Sequence, residues 1–247
     1  MTVSDRLLAA AAQLCDDLAS LKFAEPVSYV YNPLIYACAA HEQYVRRFGN
    51  SRKRVLFLGM NPGPWGMAQT GVPFGEIPAV RDWMGIDAAV EKPDPEHPMR
   101  PIEGFACTRS EVSGRRLWGL FAERYPKAED FFAEHYVINF CPLVFMEESG
   151  RNRTPDKLPA AEAEPMTAAC DLHLQSCLAA LRPEYLIGVG AFAEMCLERS
   201  AKALKLDLRG KVILGRVLHP SPASPAANRG WSEAASKQLV AQGVWPH

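Results

Sequence analysis

Short apolar runs along the chain alternate with longer stretches in which apolar and polar positions recur every three to four residues. The short runs lie at residues 54–59 (RVLFLG), 136–140, 185–190 (YLIGVG) and 212–218, and they predict buried strands. The periodic stretches predict helices over 34–48, 76–84, 111–124, 161–181, from 191 onward, and over 232–242, with Pro183 closing the fourth of them. Leu7, Leu8, Leu14, Leu18 and Leu21 mark a further helical period near the N-terminus. No internal repeat or low-complexity linker interrupts the series. Strands alternating with helices predict an α/β fold: a single domain over 1–247, with a central, mostly parallel four-stranded sheet flanked by helices on both faces.

Composition narrows the classes of function. The chain has 247 residues, 48% of them apolar, enough for one sizeable core. The formal net charge of −1 argues against an electrostatic coat on nucleic acid but allows a local basic strip. Candidates for such a strip are Arg52-Lys53-Arg54, Arg151-Asn152-Arg153, and Arg209 with Lys211. The N-terminal stretch lacks the basic start and unbroken apolar run of a secretory signal, and no run of about 18 apolar residues exists, so no membrane partner is expected. Seven cysteines, an odd number with no C-x-x-C pair, fit reduced thiols in a cytoplasmic protein. The six histidines do not pair at ligand spacing either, so neither a metal nor an iron–sulfur cluster is expected.

In open α/β sheets, ligands bind beyond the carboxyl ends of the strands. The unusual loops of this chain follow strands. The first predicted strand runs into residues 60–75, MNPGPWGMAQTGVPFG, with four glycines and three prolines in sixteen residues. Glycine admits close backbone approach and proline fixes the path. The loop lacks the Gly-Lys-Ser/Thr ending of a phosphate-cradling P-loop. The second predicted strand carries Asn139 near its end and runs into Cys141-Pro142; the fourth ends at His219-Pro220-Ser221-Pro222. Gly188-Val189-Gly190-Ala191-Phe192-Ala193, with Asp207 further on, fits the short dinucleotide-binding pattern. It stands late in the chain without a following βαβ half, and it reads as a tight strand-to-helix turn.

Residues 59–86, GMNPGPWGMAQTGVPFGEIPAVRDWMGI, resemble the first signature of the single-strand-selective monofunctional uracil-DNA glycosylases, and residues 219–231, HPSPASPAANRGW, resemble the second. Between them, Asn139-Phe140-Cys141-Pro142-Leu143 is similar to the family's strand-end segment, and Tyr31-Asn32-Pro33-Leu34 to its N-terminal region. The resemblance covers most of the chain, in order. It implies a bacterial-type, cytoplasmic, monomeric DNA-repair hydrolase without cofactor or metal, acting on single-stranded and duplex DNA. Such an enzyme takes the damaged nucleotide out of the stack, hydrolyses its N-glycosidic bond and leaves an abasic site.

The resemblance also implies roles. Asn61 matches the residue that positions the attacking water; an amide orients water but does not take its proton. The other reading of Asn61 is a cap for the turn before Pro62. His219 matches the catalytic histidine, donating to uracil O2 as charge grows there. Asn139 matches the base reader, its amide complementary to uracil O4 and N3–H and mismatched to cytosine. Without the motif it reads as a strand-end asparagine bonded to backbone. Phe74 matches the aromatic that stacks on the flipped base. Met60 and Gly63 match the wall near uracil C5, where a glycine leaves room for 5-substituents such as hydroxymethyl; Gly63 also reads as a backbone requirement. Pro220, Ser221, Pro222, Ala223, Ser224, Pro225, Asn228 and Arg229 match the loop that wedges into DNA, stiffened by its prolines and followed by a helix start that suits phosphate. Ala223 and Ser224 are smaller than the side chains of vertebrate members, which argues against deep duplex penetration. No lysine stands out as a Schiff-base nucleophile, as expected for a monofunctional enzyme. Two rival readings remain: a glycosylase of the same fold that prefers the deaminated purines xanthine and hypoxanthine, and a non-catalytic binder of single-stranded DNA.

Overall fold

The computed structural model describes residues 1–208 and 210–246. Helix α1 (Val3–Ala19) opens on a capping box in which Thr2 and Asp5 satisfy each other's backbone amides, and it buries Leu7, Leu14 and Leu18. There follow β1 (Tyr29–Tyr31), α2 (Pro33–Tyr36), α3 (Cys38–Phe48), β2 (Val55–Gly59) and α4 (Met67–Thr70). Next come α5 (Val112–Arg124), α6 (Ala128–Glu134), β3 (His135–Asn139), β4 (Val144–Met146) and β5 (Asn152–Arg153). The chain closes with α7 (Ala160–Leu181), β6 (Tyr185–Val189), α8 (Ala191–Ala203), β7 (Ile213–Val217) and α9 (Trp231–Ala241).

The main sheet has the order β3-β2-β6-β7, and every pairing in it is parallel. Every residue of β2 and β3 is buried. Successive strand residues face opposite sides, so both faces of the sheet centre are covered. The large aromatic cluster of Phe57, Trp118, Phe121, Phe131 and Phe132 fills the core, with Phe121 and Phe131 stacked at 4.4 Å between ring centroids. The register sets Gly59 beside Asn139 and Val189 beside Val217, which brings the ends of all four strands to one rim.

The predicted strands and helices differ from this structure in several places, among them helix α4, which forms within the loop 60–75. The stretch 34–48 is two helices rather than one. The break falls at Ala37, whose buried carbonyl is approached so closely by Gly71 that a Cβ there would stand 2.7 Å away. The stretch 76–84 contains a single π turn, Ala79–Trp83. Helix α6 was not foreseen. Nor was a second, antiparallel sheet of order β1-β4-β5, whose strands are two or three residues long. At the strand-to-helix turn after β6, a Cβ on Gly188 would stand 2.4 Å from the Glu194 amide nitrogen, and Gly190 takes φ +92. Those glycines serve close packing of β6 on α8. Five of the seven cysteines are buried, and all seven are free thiols. No helix among the described residues is long and apolar enough to cross a membrane.

Candidate active site

A cleft of about 500 Å³ opens at the rim where β2, β3 and β7 end. Met60, Asn61, Gly63, Phe74, Asn139 and His219 all line it, as do Ser221 and Pro222. Six residues predicted from three separate stretches of sequence therefore meet in one cavity.

Asn139 ends β3 and is buried. Its Nδ2 donates to Met67 Sδ at 3.3 Å, a weak acceptor, while its Oδ1 is buried without a partner. An unmatched buried acceptor costs about 1–3 kcal/mol, which a ligand N–H would recover. Gly59, across the ladder, makes this arrangement possible. A Cβ there would lie 2.3 Å from Asn139 Oδ1 and 2.5 Å from Phe74 Cε2.

Phe74 holds a left-handed backbone, φ +53, unusual for a bulky residue. Its surroundings enforce it. Its carbonyl accepts from the Glu76 amide at 2.7 Å and lies against Gly114 of α5, where a Cβ would come within 2.1 Å. Trp118 Nε1 donates to the Pro73 carbonyl, and Thr70 Oγ1 to that of Gly75. Gln69, wholly buried, donates to the carbonyls of Pro64 and Pro101 and accepts from the amides of Glu103 and Gly104. The long loop is thus rigid, and it holds the Phe74 ring 6.5 Å from that of His219.

His219 Nδ1 accepts from the Ser221 amide at 3.1 Å. That nitrogen therefore carries no proton, and Nε2–H is left to donate. Burial holds the imidazole pKa below its ordinary value, so the ring is neutral at neutral pH. Asn61 Nδ2 donates to the Leu143 carbonyl at 3.2 Å, which fixes the side chain and leaves Oδ1 as its acceptor for a ligand or water.

The loop 220–229 is held by its own contacts and by α5. Ser221 Oγ accepts from Ala223, Ser224 Oγ from Ala227, and Asn228 Nδ2 donates to the Pro222 carbonyl at 2.8 Å. Arg116 donates to the Pro220 carbonyl at 2.8 Å and to Asn228 Oδ1 at 2.9 Å, clasping both ends. Pro222, Ala223, Pro225, Asn228 and Arg229 are exposed, whereas Pro220 is buried beneath them.

The family model of the uracil DNA glycosylase superfamily matches residues 46–241. The chain belongs to that superfamily. It is similar to the single-strand selective monofunctional uracil-DNA glycosylase of Rattus norvegicus, at 47% identity over 93% of this chain and 81% of the relative. The corresponding Bos taurus protein is also 47% identical, over 95% of this chain and 85% of the relative. The fold is shared with the crystal structure of wild-type Pedobacter heparinus SMUG2, at a TM-score of 0.70 and 18% identity, covering 99% of this chain and 98% of that one.

Within this uracil DNA glycosylase fold, the sequence reading missed several groups. Gly59, Met67, Glu111 and Gly114 shape the cleft, yet Gly59, Glu111 and Gly114 read locally as ordinary strand or helix positions and Met67 as one more residue of the loop. Gly63 has a neighbour that its sequence context did not reveal. A Cβ there would stand 2.2 Å from Glu111 Oε2, so its missing side chain makes room for a carboxylate as well as for a ligand. The basic strip also moves. Lys53 is buried and bonded to the Phe132 carbonyl, while Arg54 pairs with Glu134 at 3.1 Å; both lie at the amino end of β2, away from the cleft. Arg153 is paired with Glu147, although its neighbour Asn152 lines the cleft. Arg209 lies outside the described residues. Positive charge at the cleft comes instead from Arg100 and Arg109, seated 5.2 and 4.6 Å from the ring centre of the cleft residue Trp65.

Proposed function

We propose that this protein is a monofunctional DNA glycosylase that hydrolyses the N-glycosidic bond of uracil, and of 5-substituted uracils, in single-stranded and duplex DNA. The observation that carries the reading is the unpartnered, buried Oδ1 of Asn139 at the wall of the cleft. Uracil offers N3–H to such an acceptor and O4 to the amide N–H beside it, which need only leave the Met67 sulfur. Cytosine offers a bare N3 and an amino group, so both contacts would set like against like.

The remaining groups take their roles around that anchor. Phe74 stacks on the extruded base; such stacking is worth about 1–3 kcal/mol and does not depend on base identity. As the C1′–N1 bond stretches, the sugar becomes cationic and the base gains negative charge on O2. The Nε2–H of neutral His219 donates there, at a fixed position and in a partly dry cleft, where one well-aimed donor is worth about 3–4 kcal/mol. Asn61 Oδ1 accepts from a water and turns its oxygen toward the sugar. Met60 and Gly63 form the wall beside C5. The loop 220–229 wedges against the strand, with Arg229 toward phosphate. One chain supplies every one of these groups, which supports a single domain acting as a monomer.

The test is a panel of labelled oligonucleotides with one uracil, 5-hydroxymethyluracil, xanthine or hypoxanthine, single-stranded or paired, treated with alkali after incubation in EDTA. Uracil strands are expected to break only after alkali, and Asn61→Ala and His219→Ala to lose that activity. Cutting of the purine substrates alone would make the protein a glycosylase for deaminated purines. Tight binding without cleavage of any of them would make it a single-strand binder.

A further inference from the structure

The reaction leaves one proton unassigned. Water that attacks the sugar must lose a proton, and the amide of Asn61 cannot take it. Glu111 is the sole carboxylate among the described residues lining the cleft, and His219 is the sole other titratable group there. His219 Nδ1 is already occupied by the Ser221 amide, and its Nε2 carries hydrogen, so it has no lone pair free for a proton.

Glu111 precedes the first turn of α5 and is half-buried. Its side chain fills the hollow left by two glycines of the first loop: a Cβ on Gly63 would lie 2.2 Å from Oε2, and one on Gly66 would lie 2.8 Å from Cγ. The carboxylate thereby lies against Gly63, two positions along the chain from Asn61, and both Asn61 and Glu111 line the cleft. Resting on the uracil-excision reading above, we propose that Glu111 is the proton acceptor for the attacking water. The C1′–N1 bond breaks and its electron pair leaves with the base. The water oxygen bonds to C1′, one water O–H bond breaks, and that proton passes to a Glu111 oxygen. The base anion later takes a proton from solvent.

The surroundings suit the task. Burial and the nearby Glu76 carboxylate push the Glu111 pKa above its ordinary value, while the amides of Ser113 and Trp65 oppose the rise. Glu76 itself accepts from Ser110. The other charges on the packed elements include Arg115 on α5, which donates to Ser110, its neighbour Arg116, which donates to Pro220 and Asn228, and Arg100 and Arg109 on Trp65. Across the cleft stands neutral His219. A carboxylate raised in this way is a stronger base than an exposed one. Because it acts when ionised, excision must fail as pH falls through its pKa, at a higher pH than for an ordinary glutamate.

Single-turnover excision from a single-stranded uracil oligonucleotide, followed from pH 4 to 8, decides the matter, alongside binding of a strand carrying the non-hydrolysable 2′-fluoro-arabino uridine. Wild type is expected to show one acid limb. Glu111→Gln is expected to bind the analogue equally well, to excise about a hundredfold more slowly at neutral pH, and to lose that limb. Glu111→Asp keeps the carboxylate at shorter reach, and it should be slower with the limb retained. Wild-type excision combined with a Glu111→Gln rate within a few-fold, or with its acid limb intact, overturns the proposal and leaves the glycosylase reading standing. Should Glu111→Gln fail to fold, a full rate in Glu111→Asp overturns it as well. An inactive wild type would sink both.

Discussion

At the scale of single residues, the site depends on positions where a side chain is missing as much as on those where one is present. Gly59 lets Asn139 and Phe74 meet; Gly114 lets the Phe74 carbonyl close onto α5; a Cβ on Gly190 would stand 3.3 Å from His219 Cδ2. These are contact requirements, and they yield a sharp expectation. Gly59→Ala should fold, since the residue ends its strand, yet lose at least tenfold in kcat/KM for uracil, because the added methyl falls on both the base reader and the stacking ring. Unchanged kinetics would mean that neither group touches the base. His219→Ala should lower kcat by about 10²–10³-fold, as expected for one lost donor to developing charge. Its dependence on pH should be weak from neutral upward, because burial already keeps the ring neutral there.

At the scale of elements, α5 organises the cleft. Its N-cap supplies Glu111 against the first loop, and its first two turns supply Gly114 against Phe74 and Arg116 against the wedge loop. Hydrogen bonds from a guanidinium are worth about 1.5–3 kcal/mol each, so the Arg116 clasp is the main external restraint on residues 220–229. Arg116→Ala should slow excision from duplex by about tenfold, where the loop must displace stacked bases, and should slow single-stranded excision much less. An equal loss on both would show that the clasp serves the catalytic groups rather than the wedge. The helix itself was legible in the sequence from its period. What its charged residues do was not, because in an amphipathic pattern a charge facing a cleft looks the same as one facing water. The antiparallel sheet was missed for a different reason: strands of two and three residues are too short to display alternation. The break at Ala37 and the π turn at Ala79–Trp83 arise from tertiary packing, which local periodicity does not encode.

At the scale of the whole molecule, the parallel sheet and the rim of strand-end loops were readable from the order of apolar runs, and the residues of three loops were readable because their motifs are long. Stability has its own signature. His135, in the core, donates from Nδ1 to the Phe131 carbonyl at 2.9 Å and faces the Trp245 indole N–H, 3.4 Å from Nε2. Both ring nitrogens are thus used by the neutral form, and burial pulls its pKa to about 4. The folded pKa lies below that of the unfolded chain, so this contribution is complete above about pH 6.5 and drains away as pH falls toward 4. Linkage puts the loss on the order of 3 kcal/mol over that window. Urea unfolding at pH 4, 5, 6 and 7 should show the decline, and His135→Asn should flatten it.

The most direct measurement is the release of free base. A single-stranded oligonucleotide with one uracil is incubated with the protein, and free uracil is quantified by chromatography beside the intact and alkali-cleaved strand. One uracil released for each alkali-labile site, from strands that stay whole until alkali is added and not by His219→Ala, is the expected result. Strand breakage without alkali, or stoichiometric binding with no uracil released, would contradict a monofunctional glycosylase.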